Sequence, residues 1–166
     1  MVLGMSLATF TLLHVLISLI GIGSGLVVAY GLLASKPLDV STATFLTTTV
    51  LTSLTGFLFP VEHLLPSHIV GIISLVVLAL AIFARYGRRL AGSWRWIYVV
   101  SAVIALYLNC FVAVVQSFMK VPALHALAPT QKEPPFLIAQ IALMVVFIVL
   151  GIFAVRNFRV NRLAAA

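Results

Sequence analysis

His14, Ser18, Gly21 and Gly25 recur at spacings of three and four, with Thr11 one turn earlier. On a helix these five share one face. Gly21 and Gly25 form a GxxxG pair, the signature of a face that another helix approaches closely. A histidine on that face points toward neighbouring helices, where it can hydrogen-bond, ligate iron or hold a ligand oxygen. Ala102, Ala105, Asn109, Gln116 and Lys120 form a second stripe at spacings of three, four and seven. Thr48, Thr52 and Thr55 form a third. Pro66, Ser67 and His68 open a further apolar run, with Ser67 placed to act as an N-cap. Glu62 and His63 lie just before it, and Gln140 sits about one turn into the last apolar segment.

Several chemistries draw on these residue types. A quinone or lipid headgroup needs an apolar slot with a histidine and one or two amides, which His14, Asn109 and Gln116 supply, with His68 and Lys120 at the mouth. A haem b held by two histidines needs both at one depth. Helix rise puts His14 roughly 10 Å deeper than His68, so a five-coordinate haem on His14 is the form the spacing allows. His63 and His68 with Glu62 offer an unspecific zinc or copper set, and no metal is assigned. The structural alternative has His14, Asn109 and Gln116 only bonding neighbouring helices, each pair contributing roughly 0.5–2 kcal/mol. No apolar segment contains Asp or Glu, which argues against both an ion-driven transporter and acid–base catalysis. No catalytic residue is assigned, and the chain reads more as a binding protein than as an enzyme.

The elements carrying these residues are dictated by composition. Of the 166 residues 63% are hydrophobic and 8% charged, against roughly 45–50% and about 25% in ordinary soluble domains. A soluble chain of this size could not hide so much apolar surface, so the bilayer is its solvent. The fold class expected is an all-α membrane bundle in a single domain, 1–166. About 20 apolar residues cross the hydrocarbon core. Spans are predicted at 7–34, 69–86, 96–119 and 136–155, with a shorter, threonine-rich fifth at 43–59; four spans are the alternative.

The net charge of +7 does not imply nucleic acid, because the basic residues sit in short tracts beside apolar runs, as topology signals do. With five spans, Lys36, Arg85, Arg88, Arg89, Arg95, Arg156, Arg159 and Arg162 fall on one side, leaving Lys120 and Lys132 on the other, a split of eight to two. With four spans it is seven to three. Either arrangement puts the C-terminus in the cytoplasm by the positive-inside rule. Trp94, Trp96 and Tyr98 mark an interface belt, and Cys110, the single cysteine, excludes an internal disulfide.

The segments SLTGFLFP (53–60), LLPSHIVGIISL (64–75), RWIYVVSAVIALYLNCFVAVVQSF (95–118) and LAPTQKEPPF (127–136) resemble small bacterial polytopic inner-membrane proteins of uncharacterised function. The likeness covers nearly the whole chain and implies a bacterial inner-membrane location, with no activity to carry over. Two functions are therefore expected of this sequence. One is a ligand pocket in the outer half of the bundle, taking a quinone, haem b or lipid in electron transfer or lipid handling. The other is a non-enzymatic accessory subunit of a larger membrane complex.

Overall fold

The computed structural model describes residues 2, 4–60 and 66–159. Its helices are α1 (Leu7–Leu33), α2 (Asp39–Gly56), α3 (Pro66–Ile82), α4 (Trp94–Lys120), α5 (Pro122–Leu127) and α6 (Pro134–Asn157). A single π-helical turn, Phe83–Gly87, extends α3. Among the described residues there is no strand, and the protein is an all-α helical bundle. The short α5 was not anticipated. Glu62 and His63, which with His68 formed the unspecific metal set weighed from the sequence, lie outside the described residues.

Four helical segments are long and apolar enough to cross a membrane: Leu7–Leu33, Ser67–Gly87, Trp94–Lys120 and Pro134–Asn157. The bilayer favours such helices because they satisfy every backbone group internally. The expected fifth segment forms α2, of 18 residues, which at 1.5 Å per residue is about 27 Å long. It fails the apolar criterion because of its threonines. Their polarity is largely spent locally, however: Thr44 donates to Val40 O, Thr48 to Thr44 O, Ser53 to Thr49 O and Thr55 to Leu51 O.

Successive long helices run antiparallel, so that α1 and α6, which also touch, lie parallel. Gly25 of α1 meets Phe45, Gly21 meets Thr48 and Thr49, and His14 meets Thr55. Gly25 and Gly21 also meet Leu106 and Asn109 of α4. Ser53 bonds Ser74 at 3.2 Å between α2 and α3, and α4 packs against α3, α1 and α6. Helix α4 is the central element and the most deeply packed, whereas α6 leans on the outside with nearly all of its residues exposed or only half-buried. Consequently the bundle has two distinct ends. The start of α1, the end of α2, the starts of α3 and α6 and the end of α4 share one, called here the His14 end. Arg85, Arg88, Arg89, Arg95, Arg156 and Arg159 gather at the other.

The basic end is tied together by polar contacts. Arg85 is buried yet bonds the exposed carboxylate of Asp39, and its guanidinium lies 5.2 Å from the Tyr98 ring. Arg95 donates to the Phe158 carbonyl. Ser35, at φ +54°, donates to Arg159 O and accepts from Arg159 N, both at 2.8 Å. The apolar core runs between the ends through Val28, Phe45, Leu46, Leu78, Tyr98, Val99, Leu106 and Phe158. Leu, Ile and Val side chains cover the outside of α1, α3 and α6, the surface a lipid-embedded bundle presents.

Candidate functional site

Of the α1 stripe, Thr11 and Ser18 spend their hydroxyls on Leu7 O and His14 O, each at 2.8 Å. His14 alone reaches across to another helix, its Nδ1 lying 2.8 Å from Thr55 Oγ1. Thr55 has one hydroxyl proton, and it goes to Leu51 O at 2.7 Å. The threonine oxygen must therefore accept, and His14 Nδ1 must carry a hydrogen. In the neutral ring Nε2 is then a bare lone pair, available to a ligand hydroxyl or a metal. Phe59 stands edge-on to this imidazole at 5.2 Å between centroids.

Two turns deeper, Gly21 opens a small polar cradle. A Cβ built on it would lie 3.1 Å from Asn109 Nδ2 and 3.2 Å from both Thr48 Oγ1 and Thr49 Oγ1. The absence of a side chain at Gly21 is what lets three polar groups from α2 and α4 converge there. Asn109 is buried, and neither its Nδ2 nor the Thr49 hydroxyl has a hydrogen-bond partner. The Thr52 hydroxyl, Gln116 Oε1 and Gln140 Oε1 are likewise buried without one. Buried polar atoms are nearly always paired with protein, water or ligand, so such a cluster requires an explanation.

Register relates the two levels. Gly25 faces Leu106 and Gly21 faces Asn109, so continuing the antiparallel pair by seven residues sets Gln116 level with His14. The His14 level and the Asn109 level are then about 10 Å apart along the helix axis. Lys120 falls at the exposed end of α4. Gln140 donates through Nε2 to Phe111 O at 3.4 Å, bringing α6 against the same stretch of α4.

His68 is placed differently from His14. It is buried on α3, its ring 5.5 Å from that of Phe57. The depth difference expected from helix rise is not what the packing gives, since both imidazoles meet residues at the end of α2, Thr55 and Phe57. The expectation measured depth from the start of α1. That helix projects about two turns past the end of α2, so His14 is two turns into its own helix while lying beside α2's last turn. Among the described residues no group of three or more His, Cys, Asp or Glu is arranged to hold a metal ion.

Thr49 and Arg85 were missed. Thr48, Thr52 and Thr55 were the expected threonine face, and the Thr52 hydroxyl is buried, yet the threonine buried as a whole residue here is Thr49, on the same side as Phe45 and Leu46. Arg85 was grouped with Arg88 and Arg89 as a topology signal. Its position directly after the apolar run, one turn from the end of the helix, was the available sign of burial. No protein family, curated protein or solved structure matches the chain.

Proposed function

We propose that this chain is a small bacterial inner-membrane protein of five spans with a cytoplasmic C-terminus, whose outer half holds a ligand between α1, α2 and α4. His14, Asn109 and Gln116 line the site, with His68 and Lys120 toward its mouth. Its role is electron transfer or lipid handling. The observation carrying this reading is the run of buried polar atoms without partners, from Thr49 and Asn109 to Gln116, beside an imidazole with a bare Nε2.

Among the ligand classes, a quinol fits these groups best. Its two ring oxygens lie roughly 5 Å apart, and a hydrogen bond of about 2.8 Å at each end gives a reach of about 11 Å. That is close to the two-turn separation of His14 and Asn109. One quinol hydroxyl donates to His14 Nε2 while the other oxygen accepts from Asn109 Nδ2. A haem b would be held through the His14 imidazole, with the Nδ1 hydrogen bond to Thr55 orienting the ring. A lipid headgroup would take up the same amides. Absorbance spectra and solvent extracts of the detergent-purified protein separate the three. A Soret band identifies haem, an extracted prenylquinone identifies quinol, and a tightly held lipid identifies the third class. None of these in wild-type protein refutes the proposal.

The competing reading, an accessory subunit of a larger complex, is favoured by α6, which the rest of the chain leaves largely uncovered. Co-purification at fixed stoichiometry with other membrane subunits would support it. A stable isolated monomer that retains a ligand would oppose it.

A further inference from the structure

Away from the His14 end, α4 and α6 enclose a shallow groove of about 630 Å³ that opens on the outer surface of the bundle. It runs from Val100 to Tyr107 on α4 and from Met144 to Arg156 on α6. The Tyr107 and Phe147 rings pack at 5.7 Å, and Gly151, opposite Val103, leaves room in its middle. Its walls are aliphatic and aromatic apart from the Tyr107 hydroxyl and Arg156, which stands exposed at the basic end.

We propose that this groove binds one acyl chain of an anionic phospholipid, with the headgroup phosphate on Arg156. Length supports this occupant. The twelve steps from Met144 to Arg156 rise about 18 Å, against roughly 15 Å for one leaflet's share of a 30 Å hydrocarbon core. The volume lies within the roughly 300–1,000 Å³ of small-molecule sites. Charge supports it as well. Arg95 reaches the same end of α6, bonding Val155 O at 3.4 Å and also Phe158 O. Arg159 follows three residues after Arg156. The chain has three acidic residues in all. Asp39 is engaged by Arg85, and the Glu133 carboxylate accepts from Thr130 and Lys132 just before α6 at the opposite end, while Glu62 precedes α3 in sequence. A second copy of the chain therefore has little with which to answer Arg156, whereas a phosphate answers it directly.

Trp94 and Trp96 begin α4 at this end, and Val100 in the groove is one turn beyond Trp96, so tryptophan fluorescence reports on occupancy. Protein is reconstituted with brominated phosphatidylglycerol or brominated phosphatidylcholine, and quenching gives the relative affinity of each lipid. The wild type is expected to prefer phosphatidylglycerol, and Arg156→Gln to reduce that preference about fivefold, the usual effect of one arginine at an anionic surface. Gly151→Leu fills the groove and is expected to lower binding of phosphatidylglycerol. A Cβ at Gly151 would sit at ordinary contact distance, 3.6 Å from Val103, so the new side chain can start into the groove without moving the helices, and an unchanged helical circular dichroism spectrum confirms that the variant is folded. Arg159→Gln removes an equal charge off the groove and should change the preference less. Equal affinity for the two lipids in the wild type, or equal losses in Arg156→Gln and Arg159→Gln, would overturn the proposal. So would a dimer in light scattering that Gly151→Leu dissolves, since a second copy would then be the occupant.

Discussion

Replacing Gly25 by alanine puts a methyl group where α1, α2 and α4 meet. The new Cβ would stand 2.5 Å from Leu106 Cδ1 and 2.9 Å from Phe45 Cδ2, both inside van der Waals contact. Phe45 and Leu106 are themselves buried in the core, so neither can move without displacing others, and overpacking of this kind costs about 1–3 kcal/mol. Alanine also favours the helix over glycine by about 1 kcal/mol. Gly23, on the same helix, isolates that benefit, because a Cβ there meets nothing within 4 Å. Gly23→Ala should therefore stabilise the protein, and Gly25→Ala should fall below it by about 1–3 kcal/mol. At about 2–4 °C per kcal/mol for a chain of this size, the two variants differ by several degrees in Tm. Thermal unfolding of both in one detergent, followed by circular dichroism, measures the gap. Equal Tm values, or Gly25→Ala above Gly23→Ala, would refute the close approach of the three helices.

Other perturbations test separate contacts. Asp39→Asn weakens the hydrogen bond to the buried Arg85 guanidinium and should cost about 1.5–3 kcal/mol, read as a lowered Tm; no loss would mean that Tyr98 alone satisfies the arginine. Thr55→Val removes the acceptor for His14 Nδ1 and should cost about 0.6–2 kcal/mol. In ¹⁵N NMR the His14 ring should change from one tautomer to a mixture, and an unchanged spectrum would contradict the assigned hydrogen. Glu133 responds to pH. Its slight burial raises the carboxyl pKa, but hydrogen bonds from the Thr130 hydroxyl and the backbone N–H groups of Thr130 and Lys132 outweigh this and hold it below the ordinary value. A depressed carboxyl stabilises the loop fully above its unfolded pKa and ceases to as pH falls through the folded one. The protection factors of the Thr130 and Lys132 amides, exchange rates taken relative to the intrinsic rate at each pH, should therefore fall in acid in the wild type, whereas Glu133→Gln should show low protection at neutral pH as well.

Much of this architecture was legible because bilayer physics leaves few choices. Runs such as Leu7–Leu33 and Pro134–Asn157 have no other stable form in lipid, and the Gly21–Gly25 spacing marked the face that others approach. The fifth helix was harder to judge, since its threonines lower the apolar signal while bonding their own carbonyls. That His14, Thr55 and Gln116 share a level could not be read from helix rise alone. It depends on the offset between α1 and α2, which side-chain packing at Gly21 and Gly25 sets. The same applies to Thr49: threonines one residue apart differ by 100° around the axis, and only the neighbouring helices decide which is buried. Arg85 looked like its exposed neighbours because no local pattern pairs it with Asp39, 46 residues away.

The proposed ligand site is tested most directly by counting what leaves with the protein. Wild type, His14→Ala and Asn109→Leu, purified in parallel and matched for monodispersity, are extracted with organic solvent and quantified by mass spectrometry and absorbance. The expected result is close to one quinol, haem or lipid molecule per wild-type chain, with most of it lost from both variants. A wild-type extract indistinguishable from empty detergent micelles, or the same ligand retained at equal stoichiometry in both variants, would contradict a site built on these two side chains.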